Sequence, residues 1–209
     1  MRIAILIFDK LTALDAVGPY EVLSRLPGAR LEFVAKEPGL KATDSGALSL
    51  HAQRSLAEVE PGDVDLLLVP GGEGNRPMLD DEEVLDWVRQ VHSTSEWTTS
   101  VCTGSLVLGA AGVLDGLRAT THWAFIDALS RFGARPVSER VVIEGKVVTA
   151  AGVSAGIDMA LTVAAEIAGP DVAQAIQLGI EYDPQPPFDA GSPQKAPPEI
   201  VEFVRGQGS

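Results

Sequence analysis

Thr98-Thr99-Ser100-Val101-Cys102-Thr103-Gly104-Ser105 is the stretch on which the fold and the chemistry both turn. An extended run, Trp97–Cys102, stops at the cysteine, and a segment of small apolar residues, Ser105–Ala111, follows almost at once. Gly104 between them lets two pieces of backbone approach closely. A strand that feeds a helix through so short a turn is a nucleophile elbow, which lifts one strained side chain to the top of a sheet. At the positive end of the following helix a cysteine is expected to favour its thiolate. The Thr103 amide would point where negative charge develops. The same residues also suit a buried core cysteine, and locally both readings stay open.

Outward from the elbow, apolar runs alternate with helical patterns. Arg2–Phe8, Leu31–Ala35 and Asp65–Val69 join Trp97–Cys102 as expected strands. Near-continuous apolar runs suit strands covered on both faces, hence a parallel sheet. Helices are expected over Val17–Leu26, which stops at Pro27-Gly28, over Asp81–His92 with its acidic first turn, and over Trp123–Phe132. Val141–Ile143 and Val147–Thr149 flank Glu144-Gly145-Lys146 as a hairpin, and Ala155–Ala168 forms a long apolar helix with Ser154 as its N-cap. This order predicts an α/β fold: a flavodoxin-like, doubly wound sandwich around a mostly parallel central sheet. Ligands in such sheets bind beyond the carboxyl ends of the strands.

The 209 residues are expected to form a single domain, 1–209. Tyr182–Pro198 is the one compositional break, with six of the 14 prolines. It reads as a linker or as an ordered strap, the latter favoured by a terminal helix expected over 198–205. With the chain ending at Ser209, no added DNA-binding domain is expected. A net charge of −13 without a Lys/Arg stripe disfavours nucleic acid and anionic membrane as partners. One cysteine cannot close an intramolecular disulfide, and the apolar start is too short for an export signal or a membrane span, so a cytoplasmic location is expected.

Several residues can be set beside the elbow. Val69-Pro70-Gly71-Gly72 ends another strand at the same edge, where the amides of Gly71 and Gly72 could donate to an oxyanion. Asp15, in Leu14–Glu21, is either a helix cap or a carboxyl brought to the cysteine for proton transfer, with Glu21 as the more solvated competitor. His122, after Thr120-Thr121, is either a structural histidine or the base of a Cys–His pair. His51 and His92 read as surface residues. Scattered histidines without metal-ligand spacing give no metal site, and without a Gly-x-Gly-x-x-Gly or Walker loop no nucleotide cofactor is expected.

Taken together, LDAVGPYE (14–21), VPGG (69–72), SVCTGSLVLGAAG (100–112), RATTHWA (118–124), GVSAGID (152–158) and EYDPQPPFDAGSPQKAPP (181–198) resemble the ThiJ/PfpI superfamily, and its isonitrile-hydrating branch in particular. The resemblance spans essentially the whole chain. It implies a homodimer, a small-molecule substrate, Cys102 as nucleophile, Asp15 as acid/base and Thr103 in support. It further implies an oxyanion pocket built from the Gly72 and Thr103 amides, and an isonitrile hydrated to an N-substituted formamide. Redox sensing, glyoxalase- or deglycase-like action on carbonyls and stand-alone ligand sensing are the alternatives. Ala150, Ala151 and Ser154 depart from the expected glycines and threonine, which bears on pocket size. Thr103 in place of the histidine of the protease-like branch argues against peptidase activity.

Overall fold

In a computed structural model, which describes residues 1–207, the apolar runs become the inner strands of one seven-stranded sheet. In chain order the elements are β1 (Arg2–Leu6), α1 (Ala13–Leu23), β2 (Arg30–Ala35), β3 (Gly39–Ala42), β4 (Ser49–Ala52), β5 (Arg54–Ser55) and β6 (Leu66–Val69). They continue with α2 (Glu82–Thr94), β7 (Trp97–Val101), α3 (Gly104–Ala110), β8 (Arg118–Ala119), β9 (Arg135–Pro136), β10 (Val141–Glu144), β11 (Val147–Ala150), α4 (Ala155–Ala168), α5 (Pro170–Gly179) and α6 (Pro198–Gln207). The main sheet runs β10-β11-β7-β6-β1-β2-β5, parallel except for β10. This is the expected doubly wound α/β sandwich. Among the described residues no helix is long and apolar enough to cross a membrane.

Period-two alternation sends each central strand to both faces. Ile3 and Ile5 of β1 pack with Leu66 and Leu68 of β6 towards α1 and α4, whereas Ala4, Leu6, Leu67 and Val69 face α2 and α3. Gly18 of α1 lies against Ile157 of α4, and Gly156 of α4 fits between Val101 and Pro19, so small residues bring these two helices against the sheet beside the elbow.

The structure departs from the sequence reading at several elements. The first helix begins at Ala13 rather than Val17, which puts Asp15 in its first turn, with Thr12 at the cap position. Trp123–Phe132 is a 3-10 helix, opened by His122 accepting from the Ala124 N–H and closed by left-handed Gly133. Ser154 flanks α4 without capping it; its hydroxyl instead accepts from Arg140. His92 is half-buried, with Nδ1 paired to the Thr98 hydroxyl, because it lies on the edge of the α2 face that packs on β7. The β3–β4 hairpin and α5 join the expected elements.

The proline-rich segment is tied at its start. The Tyr182 hydroxyl donates to Asp158 Oδ1 at 2.6 Å, and the Arg140 guanidinium pairs with the other oxygen of the same carboxylate. Beyond it, α6 sets the Arg205 guanidinium 5.6 Å from the Trp123 ring centroid.

Candidate functional site

β6 and β7 run side by side, with Val69 paired to Ser100, so Pro70-Gly71-Gly72 and Cys102-Thr103 leave the sheet as neighbours. Their closeness requires Gly104: a Cβ there would overlap the Val69 carbonyl oxygen. Cys102 has φ +55°, a left-handed conformation that costs a non-glycine residue roughly 1–3 kcal/mol. It is held by its own backbone. The Cys102 N–H donates to the Ala150 and Ala151 carbonyls, and its carbonyl accepts from Thr121 Oγ1 at 2.9 Å and Ser105 Oγ at 3.2 Å. The strain expected of an elbow is therefore present, and four hydrogen bonds lock it.

Asp15 is fully buried beside this thiol. Its Oδ2 accepts the Gly71 N–H at 2.9 Å, while its Oδ1 is sealed from solvent with no partner among the described residues. Burial pushes the Asp15 carboxyl up to about 7; the Gly71 amide and the Cys102 thiol pull it back in part. Burial also pushes the Cys102 thiol up to about 12, and the neighbouring Asp15 charge adds to the rise. The thiolate expected from the helix dipole is thus overturned. α3 has only seven residues, and desolvation outweighs its field. Two amides do reach the sulfur and favour its ionised form, those of Thr103 and Val153.

The glycine amides are otherwise engaged. Gly71 serves Asp15, and Gly72 donates to Thr103 Oγ1 at 3.1 Å, which leaves neither as the free oxyanion donor the sequence suggested. A Cβ on Gly71 would lie 2.6 Å from the Thr103 amide nitrogen and 2.9 Å from Asp15 Oδ2, so this position admits only glycine between the two. Gly72, at φ +132°, is required where the turn presses against Lys10–Thr12. His122 makes no hydrogen bond to the cysteine. Its Nδ1 is used on the Ala124 amide, its ring packs on Gly152 near Trp123 and Phe125, and burial lowers its proton affinity. Cys102, Asp15, Thr103, Gly71 and Gly72 are brought together, while His122 stands aside on the Gly152 loop.

Sequence reading missed two contributors. Val153, at φ +34°, turns its amide to the sulfur; a β-branched residue after glycine gives no sign of that. Asn75 is buried and donates from Nδ2 to both the Thr103 carbonyl and the Thr103 hydroxyl, each at 2.8 Å. An asparagine three residues after Gly71-Gly72 was its only signal.

Residues 1–166 match the model of the DJ-1/PfpI family. The chain belongs to the DJ-1/PfpI family. Within the family it is 46% identical to isonitrile hydratase of Pseudomonas putida over 205 residues, covering 98% of this chain and 89% of that protein. It is 31% identical over 84% of its length to a helix-turn-helix transcriptional regulator of Pseudomonas aeruginosa, of which it spans 52%. A ThiJ/PfpI family protein from Pseudomonas syringae superposes with a TM-score of 0.95 at 38% identity, covering 99% of this chain and 85% of that one. The DJ-1/PfpI fold thus extends through α6, beyond the residues matched by the family model.

Proposed function

We propose that this protein hydrates an isonitrile to an N-substituted formamide, with Cys102 as nucleophile and Asp15 as the acid/base. The observation that carries the reading is the pairing of a buried elbow thiol with a buried carboxyl that has one unpartnered oxygen, in a chain 46% identical to an isonitrile hydratase.

The active form holds one proton between the two groups, thiol and carboxylate. As the sulfur attacks the terminal carbon, Asp15 takes the thiol proton and delivers it to that same carbon. The S–C bond forms and a thioimidate results. Asp15, again a carboxylate, draws a proton from water as its oxygen adds to the carbon and passes the proton to nitrogen. The tetrahedral adduct expels sulfur, its hydroxyl proton returns through Asp15 to the thiolate, and the formamide leaves. An isonitrile carbon is itself the proton acceptor, so the reaction needs no resting thiolate. A peroxide sensor does need one, and burial works against that form of Cys102.

Gly71 holds Asp15 in this scheme, Thr103 serves the substrate, and His122 forms a wall of the site by Gly152. We take the working form to be a homodimer in the cytoplasm; Ile200 and Phe203, exposed and three residues apart on α6, offer an apolar contact between copies. The test is formamide production from cyclohexyl isocyanide. Wild-type turnover lost in Cys102→Ala supports the proposal; turnover surviving that substitution refutes it.

A further inference from the structure

Thr103 Oγ1 accepts two hydrogen bonds, from Asn75 Nδ2 at 2.8 Å and from the Gly72 amide at 3.1 Å. A hydroxyl has two lone pairs and one proton. With both lone pairs held by donors, its proton is the only capacity left, and no acceptor among the described residues receives it. The second N–H of Asn75 grips the Thr103 carbonyl, so residue 103 is held by one buried amide at two points. The hydroxyl and the Asp15 carboxyl flank the same Gly71: a Cβ built there would lie 2.7 Å from Thr103 Oγ1 and 2.9 Å from Asp15 Oδ2. Thr103 is also the residue whose amide reaches the sulfur.

We propose that Asn75 is a positioning residue that commits the Thr103 hydroxyl to donate a hydrogen bond to the atom bonded to the carbon under attack by Cys102. On the isonitrile reading, on which this rests, that atom is the nitrogen, which gains a basic lone pair as the thioimidate forms. With an aldehyde it is the oxygen, which gains negative charge as sulfur adds to carbon. Asn75 touches neither substrate nor sulfur in this arrangement. It acts by occupying a lone pair that would otherwise let the hydroxyl rotate.

Asn75→Asp tests this with little change in shape, because the introduced carboxylate accepts where the amide donated and draws the hydroxyl proton inwards. With cyclohexyl isocyanide, Asn75→Asp and Thr103→Val are each expected to lower kcat by about 10²-fold, the usual cost of one such donor. KM should stay within about threefold, and Thr103→Ser should restore most of the rate. The double variant should be no slower than Thr103→Val alone, since both remove one donor. Alkylation of Cys102 by iodoacetamide, which builds charge on iodide instead, should change by less than about twofold in every variant. If Asn75→Asp does not fold, Asn75→Ser takes its place.

Hemithioacetal formation between Cys102 and methylglyoxal gives a second measure that does not need isonitrile turnover, and it should weaken in Asn75→Asp and Thr103→Val alike. Losses that multiply in the double variant would overturn the inference. Alkylation that falls in step with kcat, or an adduct insensitive to both substitutions, would do the same. Absence of wild-type isonitrile turnover with a selectively weakened methylglyoxal adduct would instead remove the substrate assignment and leave the role of Asn75 standing.

Discussion

Replacing Asp15 by Asn should stabilise the protein while it destroys activity, and the stabilisation should depend on pH. The Asp15 carboxyl rises from an ordinary 3.8 to about 7 on folding, chiefly through burial. Between those two values the folded chain keeps a proton that the unfolded chain has lost, so stability falls as pH rises through the window and is level beyond it. Three units at roughly 1.4 kcal/mol each give about 4 kcal/mol of lost stability above pH 7. Asparagine removes that penalty and can still accept the Gly71 amide. Its new NH2 group faces the thiol without an oxygen acceptor, which returns about 1–2 kcal/mol. The variant should therefore be more stable at pH 8 by roughly 2–3 kcal/mol, or about 5–10 °C in melting temperature for a chain of this length. At pH 4 the charge-dependent part of that gain vanishes. Calorimetric melting of both proteins at pH 4, 6 and 8 is the assay. A variant that melts below the wild type at pH 8, or one whose offset is the same at all three values, would refute the placement of a costly buried carboxylate at this site.

If the monoanionic pair is the active form, kcat/KM should rise as pH passes through about 7 and stay flat to pH 9, because the thiol holds its proton up to about 12. A profile that falls across pH 7 would mean that protonated Asp15 is required instead. Gly71→Ala places a methyl against the Thr103 amide and Asp15 Oδ2, so it should cost about 1–3 kcal/mol in urea unfolding and most of the turnover. Tyr182→Phe removes the hydroxyl bonded to Asp158; the segment from 182 to 198 should be cut faster by limited proteolysis, with kcat changed less than about threefold.

What could be read in advance follows from where the physical signal lies. β1 and β6 were legible because strands buried on both faces are almost wholly apolar, β7 because its β-branched run stops at the elbow cysteine, and the β10–β11 hairpin because Gly145 supplies a left-handed turn at φ +61°. The β3–β4 hairpin was not, since Gly39–Ala42 and Ser49–Ala52 mix exposed Leu40 with polar residues and carry no run. The extent of the helix at Trp123–Phe132 was legible, but its 3-10 winding was hidden because 3-10 and α-helices share nearly the same amphipathic spacing. At the site, the strand-to-helix junction marked Cys102 locally. Asp15 reached it only through the folding of α1 against α4, and so its pairing came from resemblance rather than from residues. The proton balance could not be read at all. It depends on desolvation, which reversed the charge state expected of Cys102 from its helix.

The central claim is a covalent bond between Cys102 and the substrate carbon. Its most direct test is intact-mass and peptide analysis of protein quenched during reaction with cyclohexyl isocyanide. Asp15→Asn should be run beside the wild type, because it lacks the carboxylate that carries the thiol proton to the substrate carbon as the adduct forms. The expected result is a mass increase equal to one isonitrile, confined to the peptide that carries Cys102 in the wild type, much reduced in Asp15→Asn and absent from Cys102→Ala. Formamide release by the wild type with no adduct at Cys102, together with turnover by Cys102→Ala, would contradict the account.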